Sequence, residues 1–211
     1  VDSPQLAAML NDYEDKTVAV VVNQIIRGSA EGWSPGRMAR EVRARVEGFP
    51  AALANTLMRT VQLQSYRSSA AVYQNANTDV IVRGYRLAGV DRRCCLACVA
   101  LSGTVIWDAD RDAGKPIPRV HDHHNGRCTS VVDTGVRNVR VRNGVQWFGQ
   151  LSRERRLELA GAANLNALEA GAVTLNDFVK QTNDPVFGEM IVENSLRCVL
   201  GDGARDYYVG R

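Results

Sequence analysis

The sequence predicts an α+β fold in which helices at both ends of the chain flank a β-rich centre with short strands. Apolar residues recur at helical spacing up to about residue 75, and an alternating pattern follows. Cysteines and histidines then cluster within residues 94–128. The expected organisation is an N-terminal helical arm at 1–75, a β-rich centre with the cysteines and histidines at 76–150, and C-terminal helices with a tail at 151–211.

Size, composition and charge limit the classes of function. The chain has 211 residues, of which 45% are hydrophobic, so it can form a sizeable core. Its 26 basic and 23 acidic residues nearly balance, and no stretch concentrates positive charge as a nucleic-acid-binding protein usually does. No apolar run approaches ~18 residues, so no membrane span is expected. Phosphate-binding loops, dinucleotide-binding turns and nucleophile elbows are missing too, so we expect no small-molecule substrate and no enzymatic activity.

Three helices are expected in the N-terminal arm. Ser3-Pro4 and Ser34-Pro35 each combine an N-cap residue with proline at the first helical position. Val18–Val22 is β-branched, but neighbouring apolar residues continue the helical period, which favours a helix there. Pro50 opens a third helix that is expected to reach about Asn75.

Short strands and turns are expected in the centre. The alternation from Val80 to Tyr85 and the segment Thr104–Trp107 are typical of strands. Residues 108–127 are polar and rich in Gly, Pro, Asp and His, which indicates an irregular loop that must be held in place. Asn143-Gly144 lies between two alternating runs and predicts a hairpin with a type I′ turn.

Helices are expected again in the C-terminal part. Ser152 is predicted to cap a helix that continues to about Ala170. Thr174 and Asp177 have the spacing of a capping box. A last helix is expected over about 187–200, followed by an irregular tail after Gly201.

Five cysteines are present, and three of them, Cys94, Cys95 and Cys98, lie within five residues. An odd number with this clustering is unlike the disulfide framework of a secreted protein and favours metal binding. Cys198 stands apart in an apolar segment and is interpreted as a buried small residue.

The spacing of the cysteines and histidines predicts a structural zinc site. Cys95-x-x-Cys98 lets one tight turn present two thiolates to an ion, and His123 and Cys128 supply a second pair from the following loop. Three sulfurs and one nitrogen complete a closed tetrahedral set, as in structural sites. The residues leave alternatives open: Cys94 in place of Cys95, His121 or His124 in place of His123, or reduced thiols without a metal.

A set of short motifs also appears in a fixed order along the chain. In chain order these are Arg59-Thr60-Val61, Asp91-Arg-Arg-Cys-Cys-Leu-Ala-Cys98, Leu101-Ser-Gly103, His123-His-Asn-Gly-Arg-Cys128, the helical segment 151–161 and Gly171-Ala-Val-Thr-Leu-Asn-Asp-Phe178. Together they resemble the phage Mu F-like head morphogenesis proteins, the minor head or minor capsid proteins of tailed phages. The resemblance covers roughly residues 35–180. Val61, His124 and Gly126 depart from the family pattern, where Glu, Pro and Cys stand.

The resemblance implies a structural role in the virion. A protein of this family is expected in the head interior or at the portal vertex, after assembly in the cytoplasm of the bacterial host. Its implied partners are the portal protein and the major capsid protein, with contact to packaged DNA as a further expectation.

The main alternative is a zinc-knuckle nuclease of the HNH or endonuclease VII kind. Asp122-His-His124 after Cys95-x-x-Cys98 resembles the pattern in which a histidine activates water beside a divalent ion. The second CxxC pair and the downstream asparagine of such enzymes are missing after Cys128.

Overall fold

The chain forms two compact units. A computed structural model describes residues 10–11, 13–136, 139–184 and 188–208. The first unit comprises the chain up to residue 68 together with 123–126 and 183–190, and the second comprises 69–122, 127–182 and the chain from 191 onward. Helices dominate and the sheets are small and antiparallel, so the predicted α+β class is confirmed.

Helices build the core of the first unit. They are α1 (Asp15–Ala30), α2 (Pro35–Arg45) and the first part of α3 (Ala51–Asn75), as predicted for the segments around Val18, Ser34 and Pro50. The hydroxyl of Ser34 accepts the N–H of Arg37 at 3.3 Å and so caps α2. The helix start predicted at Ser3-Pro4 lies outside the described residues.

A close approach joins α1 and α2. A Cβ on Gly28 would lie 2.5 Å from Cγ of Met38, so a larger residue there would require that side chain to move. Their buried side chains form one apolar core with the start of α3, and it consists of Leu10, Val21, Ile25, Trp33, Met38, Ala39, Val42, Phe49, Ala54, Leu57 and Met58.

The second unit contains a three-stranded sheet. Its strands are β1 (Arg83–Leu87), β2 (Val105–Asp108) and β3 (Thr129–Asp133), in the order β2-β1-β3. Both pairings are antiparallel, so Arg83 faces Asp108 on one side and Asp133 on the other. The first two strands match the predicted segments, with β1 beginning later than expected, whereas β3 had no sequence-based prediction.

The remaining elements of the second unit are mostly short. Helices α4 (Leu96–Leu101) and α5 (Ala109–Asp112) precede β3, and α6 (Gly144–Gln150), α7 (Arg153–Ala160) and α8 (Ala162–Glu169) follow it. A 3₁₀ turn at Leu175–Phe178 leads into β4 (Val179–Asp184), which pairs with β5 (Gly188–Glu193), and α9 (Leu196–Leu200) follows. The described residues 183–184 and 188–190 of these strands belong to the first unit. No helix of the described residues has both the length and the hydropathy to span a membrane.

The predicted hairpin at Asn143-Gly144 is wrong, because these residues start a helix. Asn143 caps α6 by accepting the N–H of Gln146 at 3.0 Å. A Cβ on Gly144 would lie only 2.0 Å from the carbonyl oxygen of Val99. Glycine is therefore required here by close packing of α6 on α4 and not by a turn with positive φ.

Two C-terminal helix predictions are also wrong in part. The helix expected from Ser152 to Ala170 is interrupted at Gly161, whose φ of 72° separates α7 from α8. Residues 188–193 form a strand because they pair with β4, and only Leu196–Leu200 is helical. Within the described part of the tail, Gly201–Tyr207 forms 3₁₀ turns with Ala204 buried, so this segment is regular and not irregular as predicted. The capping box at Thr174 and Asp177 is confirmed.

The long loop after β2 is held in place by hydrogen bonds. The amide side chain of Asn75 accepts the N–H of Ile117 at 2.6 Å and donates to its carbonyl oxygen at 3.1 Å. Trp107 donates its indole N–H to the carbonyl of Lys115 at 3.0 Å. These contacts satisfy backbone groups that the loop would otherwise leave unpaired.

Candidate metal centre

Two elements of the second unit, α4 and β3, position the clustered cysteines. Cys94 and Cys95 directly precede α4, Cys98 lies in its first turn, and Cys128 directly precedes β3. The Sγ of Cys95 accepts the backbone N–H of Cys98 at 3.3 Å and so caps α4. The CxxC spacing thus places two sulfurs at the start of one short helix.

Cys98 and Cys128 meet in the core of the second unit. Their Sγ atoms are 3.2 Å apart, although 30 residues separate them in the chain. Only 4% of Cys98 and 2% of Cys128 is exposed, and neither is part of a disulfide. The thiols of Cys94 and Cys95 also interact with that of Cys98. This part of the structure therefore concentrates sulfur around one buried position.

Asp122 adds a buried carboxylate to these sulfurs. None of its surface is exposed. Its Oδ2 accepts the backbone N–H of Cys128 at 2.8 Å, and its Oδ1 lies 3.6 Å from the Sγ of Cys98. One ligand atom from each of Cys98, Asp122 and Cys128 lies within 4.8 Å of the others, so this group could hold a metal ion.

Arg86 of β1 faces the same cluster. The alternation of β1 turns Gly84 and Arg86 to its buried side. Arg86 donates from Nη1 to the carbonyl oxygen of His121 at 2.7 Å, and its Nη2 lies 3.6 Å from Oδ1 of Asp122. The guanidinium also interacts electrostatically with the thiols of Cys98 and Cys128.

These neighbours shift the pKa values of the two thiols in opposite directions. The adjacent thiol of Cys128, then those of Cys94 and Cys95, and burial raise the pKa of Cys98. The hydrogen bond from Cys98, helped by the charge of Arg86, lowers the pKa of Cys128. The first proton of the pair is therefore lost from Cys128 more readily than from an isolated thiol, and the second, from Cys98, less readily. A bound cation would stabilise the doubly deprotonated form.

The donors suit zinc or a similar borderline-soft divalent cation. Thiolate sulfur and carboxylate oxygen are both ordinary zinc ligands, with bonds of about 2.3 Å and about 2.0–2.2 Å. A cation between Cys98 and Cys128 would move their sulfurs apart by roughly half an ångström, since two sulfurs on one tetrahedral ion lie about 3.8 Å apart.

The predicted ligands are accounted for as follows. Cys98 and Cys128 lie together, and Cys95 caps the helix that carries Cys98. Cys94 also interacts with Cys98, so the choice between Cys94 and Cys95 stays open. His123 opens the segment 123–126, which belongs to the first unit, and its role as a ligand stays a prediction.

Within the first unit, helix α3 holds that histidine-rich segment. Thr60 accepts the backbone N–H of Asn125 at 3.2 Å through its hydroxyl, and Arg67 donates to the carbonyl oxygen of Gly126. Asn125 adopts a φ of 56°, in the left-handed region that asparagine tolerates better than most residues. Thr60 belongs to the motif Arg59-Thr60-Val61, so one residue of that motif contacts the histidine-rich segment.

Two residues of the cluster were missed by the sequence reasoning. Asp122 was considered only as part of a nuclease pattern, and Arg86 was not considered at all. The signal for Arg86 is its position in an alternating strand, where a charged residue falls on the buried face. For Cys198 the prediction of burial is wrong, because its side chain is exposed on α9.

Comparison of the chain with protein-family models, curated proteins and solved structures yields no match. The resemblance to the Mu F-like proteins therefore rests on the short motifs alone.

Proposed function

We propose that this chain is a structural, non-enzymatic minor head protein of a tailed phage or phage-derived particle, with a structural metal ion that braces its second unit. The observation that carries the metal is the buried pair of sulfurs of Cys98 and Cys128, 3.2 Å apart and contributed by segments distant in sequence. Such a site would close the loop between the two segments and stabilise a unit whose strands have only four to six residues.

Burial of the donors supports a structural metal over a hydrolytic one. Asp122 has no exposed surface, and Cys98 and Cys128 are nearly as buried. A catalytic zinc keeps one position open to water and substrate, whereas structural sites are closed by protein ligands. A substrate would have to displace core side chains to reach these atoms.

Contacts between motif residues support the assignment to the Mu F-like family. Asp91, which begins the cysteine motif, forms an ion pair with Arg127 of the histidine motif. Thr60 of the helical motif holds Asn125. We propose the portal protein and the major capsid protein as partners, the head interior or portal vertex as the location, and contact with packaged DNA.

Zinc content and thermal stability test the metal. The full chain is expected to purify with stoichiometric zinc, and a chelator should lower its melting temperature because the ion binds only the folded state. C98S and C128S should lose both the zinc and the chelator response. C198S, which changes an exposed cysteine outside the cluster, should keep both. Wild-type protein without zinc, or a chelator that leaves melting unchanged, contradicts the metal brace.

Binding and cleavage assays test the head role. The full chain should be retained by the portal or major capsid protein of the same phage, and co-expressed particles should contain it. Incubation with DNA and Mg²⁺ or Mn²⁺ should give no cleavage. Cleavage that disappears in H124A would favour the nuclease alternative, and particles without this chain would argue against a head protein.

A further inference from the structure

Arg86 is a permanently charged residue inside the core of the second unit. Only 5% of it is exposed, and one contact, from Nη1 to the carbonyl of His121, is a hydrogen bond of normal geometry. Its Nε and Nη2 make no such bond within the part of the chain that the structure describes. Burying a guanidinium in this way is costly unless negative charge lies next to it.

The negative charge that faces Arg86 comes from the candidate ligands. Oδ1 of Asp122 lies 3.6 Å from Nη2 of Arg86, and the thiols of Cys128 and Cys98 interact with the same guanidinium. When both sulfurs are thiolates, the three buried donors carry three negative charges against the single positive charge of Arg86. A net charge of minus two would remain in the core.

The position of Asp122 also suits coordination. Its Oδ1 lies 3.6 Å from Sγ of Cys98. At ordinary bond lengths, an oxygen and a sulfur on one tetrahedral zinc ion lie about 3.6 Å apart. Its other oxygen receives the backbone N–H of Cys128, which orients the carboxylate towards the sulfurs.

We infer that Asp122 is the third ligand of a divalent cation at Cys98 and Cys128, and that Arg86 is a positioning residue that makes the loaded site electrically neutral. This inference rests on the metal proposed above. Three anionic donors, one guanidinium and a divalent ion sum to zero, whereas a monovalent ion such as Cu⁺ would leave a buried negative charge. A neutral site requires the fourth ligand to be a neutral donor, because a further thiolate, such as that of Cys95, would leave a buried negative charge.

Affinity for Zn²⁺, measured on the full chain by competition with a chromophoric chelator, tests Arg86. R86M removes the charge at similar length and should weaken Zn²⁺ binding by roughly 10–100-fold, as the loss of an outer-shell partner typically does. R86Q, a smaller change that can still donate to His121, should weaken it similarly and serves if R86M does not fold. R86K keeps the charge and should stay closer to wild type.

The absorption spectrum of the Co²⁺ form separates a ligand from a positioning residue. D122N should change the ligand-field bands because it replaces an anionic carboxylate ligand with a neutral amide, while the sulfur charge-transfer bands remain. R86Q should leave both sets of bands in place and change only the affinity. These readouts distinguish coordination from a purely structural carboxylate.

Two results overturn the inference in distinguishable ways. Wild-type Zn²⁺ affinity in R86Q and R86M together with an unchanged Co²⁺ spectrum in D122N removes the roles of Arg86 and Asp122, while the metal brace stands. A wild-type chain that binds no Zn²⁺ removes the brace and the inference together.

Discussion

The ion pair of Asp91 and Arg127 links the two segments that carry the cysteines. Arg127 donates to the two carboxylate oxygens of Asp91 at 2.8 and 2.6 Å. Asp91 lies three residues before Cys94, and Arg127 directly precedes Cys128. The bidentate bond from Arg127 and a backbone N–H from Arg93 hold the pKa of Asp91 well below its usual range.

Replacing Asp91 with asparagine should cost stability at neutral pH. The folded-state pKa of Asp91 is depressed, so the ionised carboxylate stabilises the fold above its unfolded pKa of about 3.9, and this contribution is lost as the pH falls. Because the pair is partly exposed, D91N should lower the free energy of unfolding by only about 0.5–1 kcal/mol at pH 7. Urea unfolding at pH 7 and in acid measures the difference, which should shrink as the carboxylate protonates.

The exposed pair on α7 provides the control for this change. Arg155 and Glu158 lie on one helix and tie no distant segments together. E158Q should change the free energy of unfolding by less than about 0.5 kcal/mol. Equal effects of D91N and E158Q, or a D91N effect that persists in acid, would show that the link between the cysteine segments contributes nothing.

At the scale of elements, the start of α6 depends on the absence of a side chain. Gly144 donates its N–H to the carbonyl oxygen of Ser102 at 2.9 Å. A Cβ added to Gly144 would collide with the carbonyl of Val99 in α4. The same helix contains Gly149, around which nothing lies within 4 Å of an added Cβ. Two glycines of one helix therefore have opposite tolerance for alanine.

G144A should be strongly destabilising, whereas G149A should be neutral or stabilising. An added Cβ at Gly144 must displace backbone, which costs typically about 1–3 kcal/mol or more in a packed interior. At Gly149 the change to alanine favours the helix by up to about 1 kcal/mol. Thermal or urea unfolding of both variants measures the contrast. A well-tolerated G144A would mean that α6 does not pack closely on α4.

At the scale of the whole molecule, each unit has its own apolar core. Val42 is completely buried in the core of the first unit, and Val99 is completely buried in that of the second. The two cores share no residue among the buried side chains described. The proposed metal cluster of Cys98, Asp122 and Cys128 belongs entirely to the second unit.

V42A and V99A should have additive effects on stability. Each removes two buried methyl groups and should lower the free energy of unfolding by roughly 1–3 kcal/mol. The double variant should equal the sum within about 0.5 kcal/mol, as for sites without common partners. Urea unfolding of the singles and the double measures this, with V72A at an exposed position of α3 as a near-neutral control. A departure from additivity above about 1 kcal/mol would show that the cores are energetically coupled.

Much of the helical structure could be predicted because its signals are local. Ser34 and Ser152 cap the helices expected after them, and Thr174 forms its capping box with Asp177. A cap depends on residues within one turn, so the pattern carries its own partner. Predictions that required knowledge of distant partners failed, as for residues 188–193, which form a strand by pairing with β4.

The residues of the candidate site also fall into two groups, those predicted from local spacing and those that distant segments bring together. The CxxC spacing predicted a tight turn, and in the structure this turn is the start of α4, where Cys95 accepts the N–H of Cys98. The pairing of that segment with Cys128 was expected from the number and type of donors. Asp122 and Arg86 became part of the site only when β1 and the loop before β3 packed against α4. Neither residue has a spacing that marks it as a partner of the cysteines.

The amino-acid sequence alone predicts the helix caps, the amphipathic N-terminal helices and the turn that carries the CxxC cysteines, because each depends on neighbours within a few residues. Long-range packing brings the charged groups of the buried cluster together and leaves no space for a side chain at Gly144. A buried carboxylate beside a guanidinium is stable only when distant segments exclude water and supply its partners. Gly144 lacks space for a Cβ only because α6 packs closely against α4 in the folded protein.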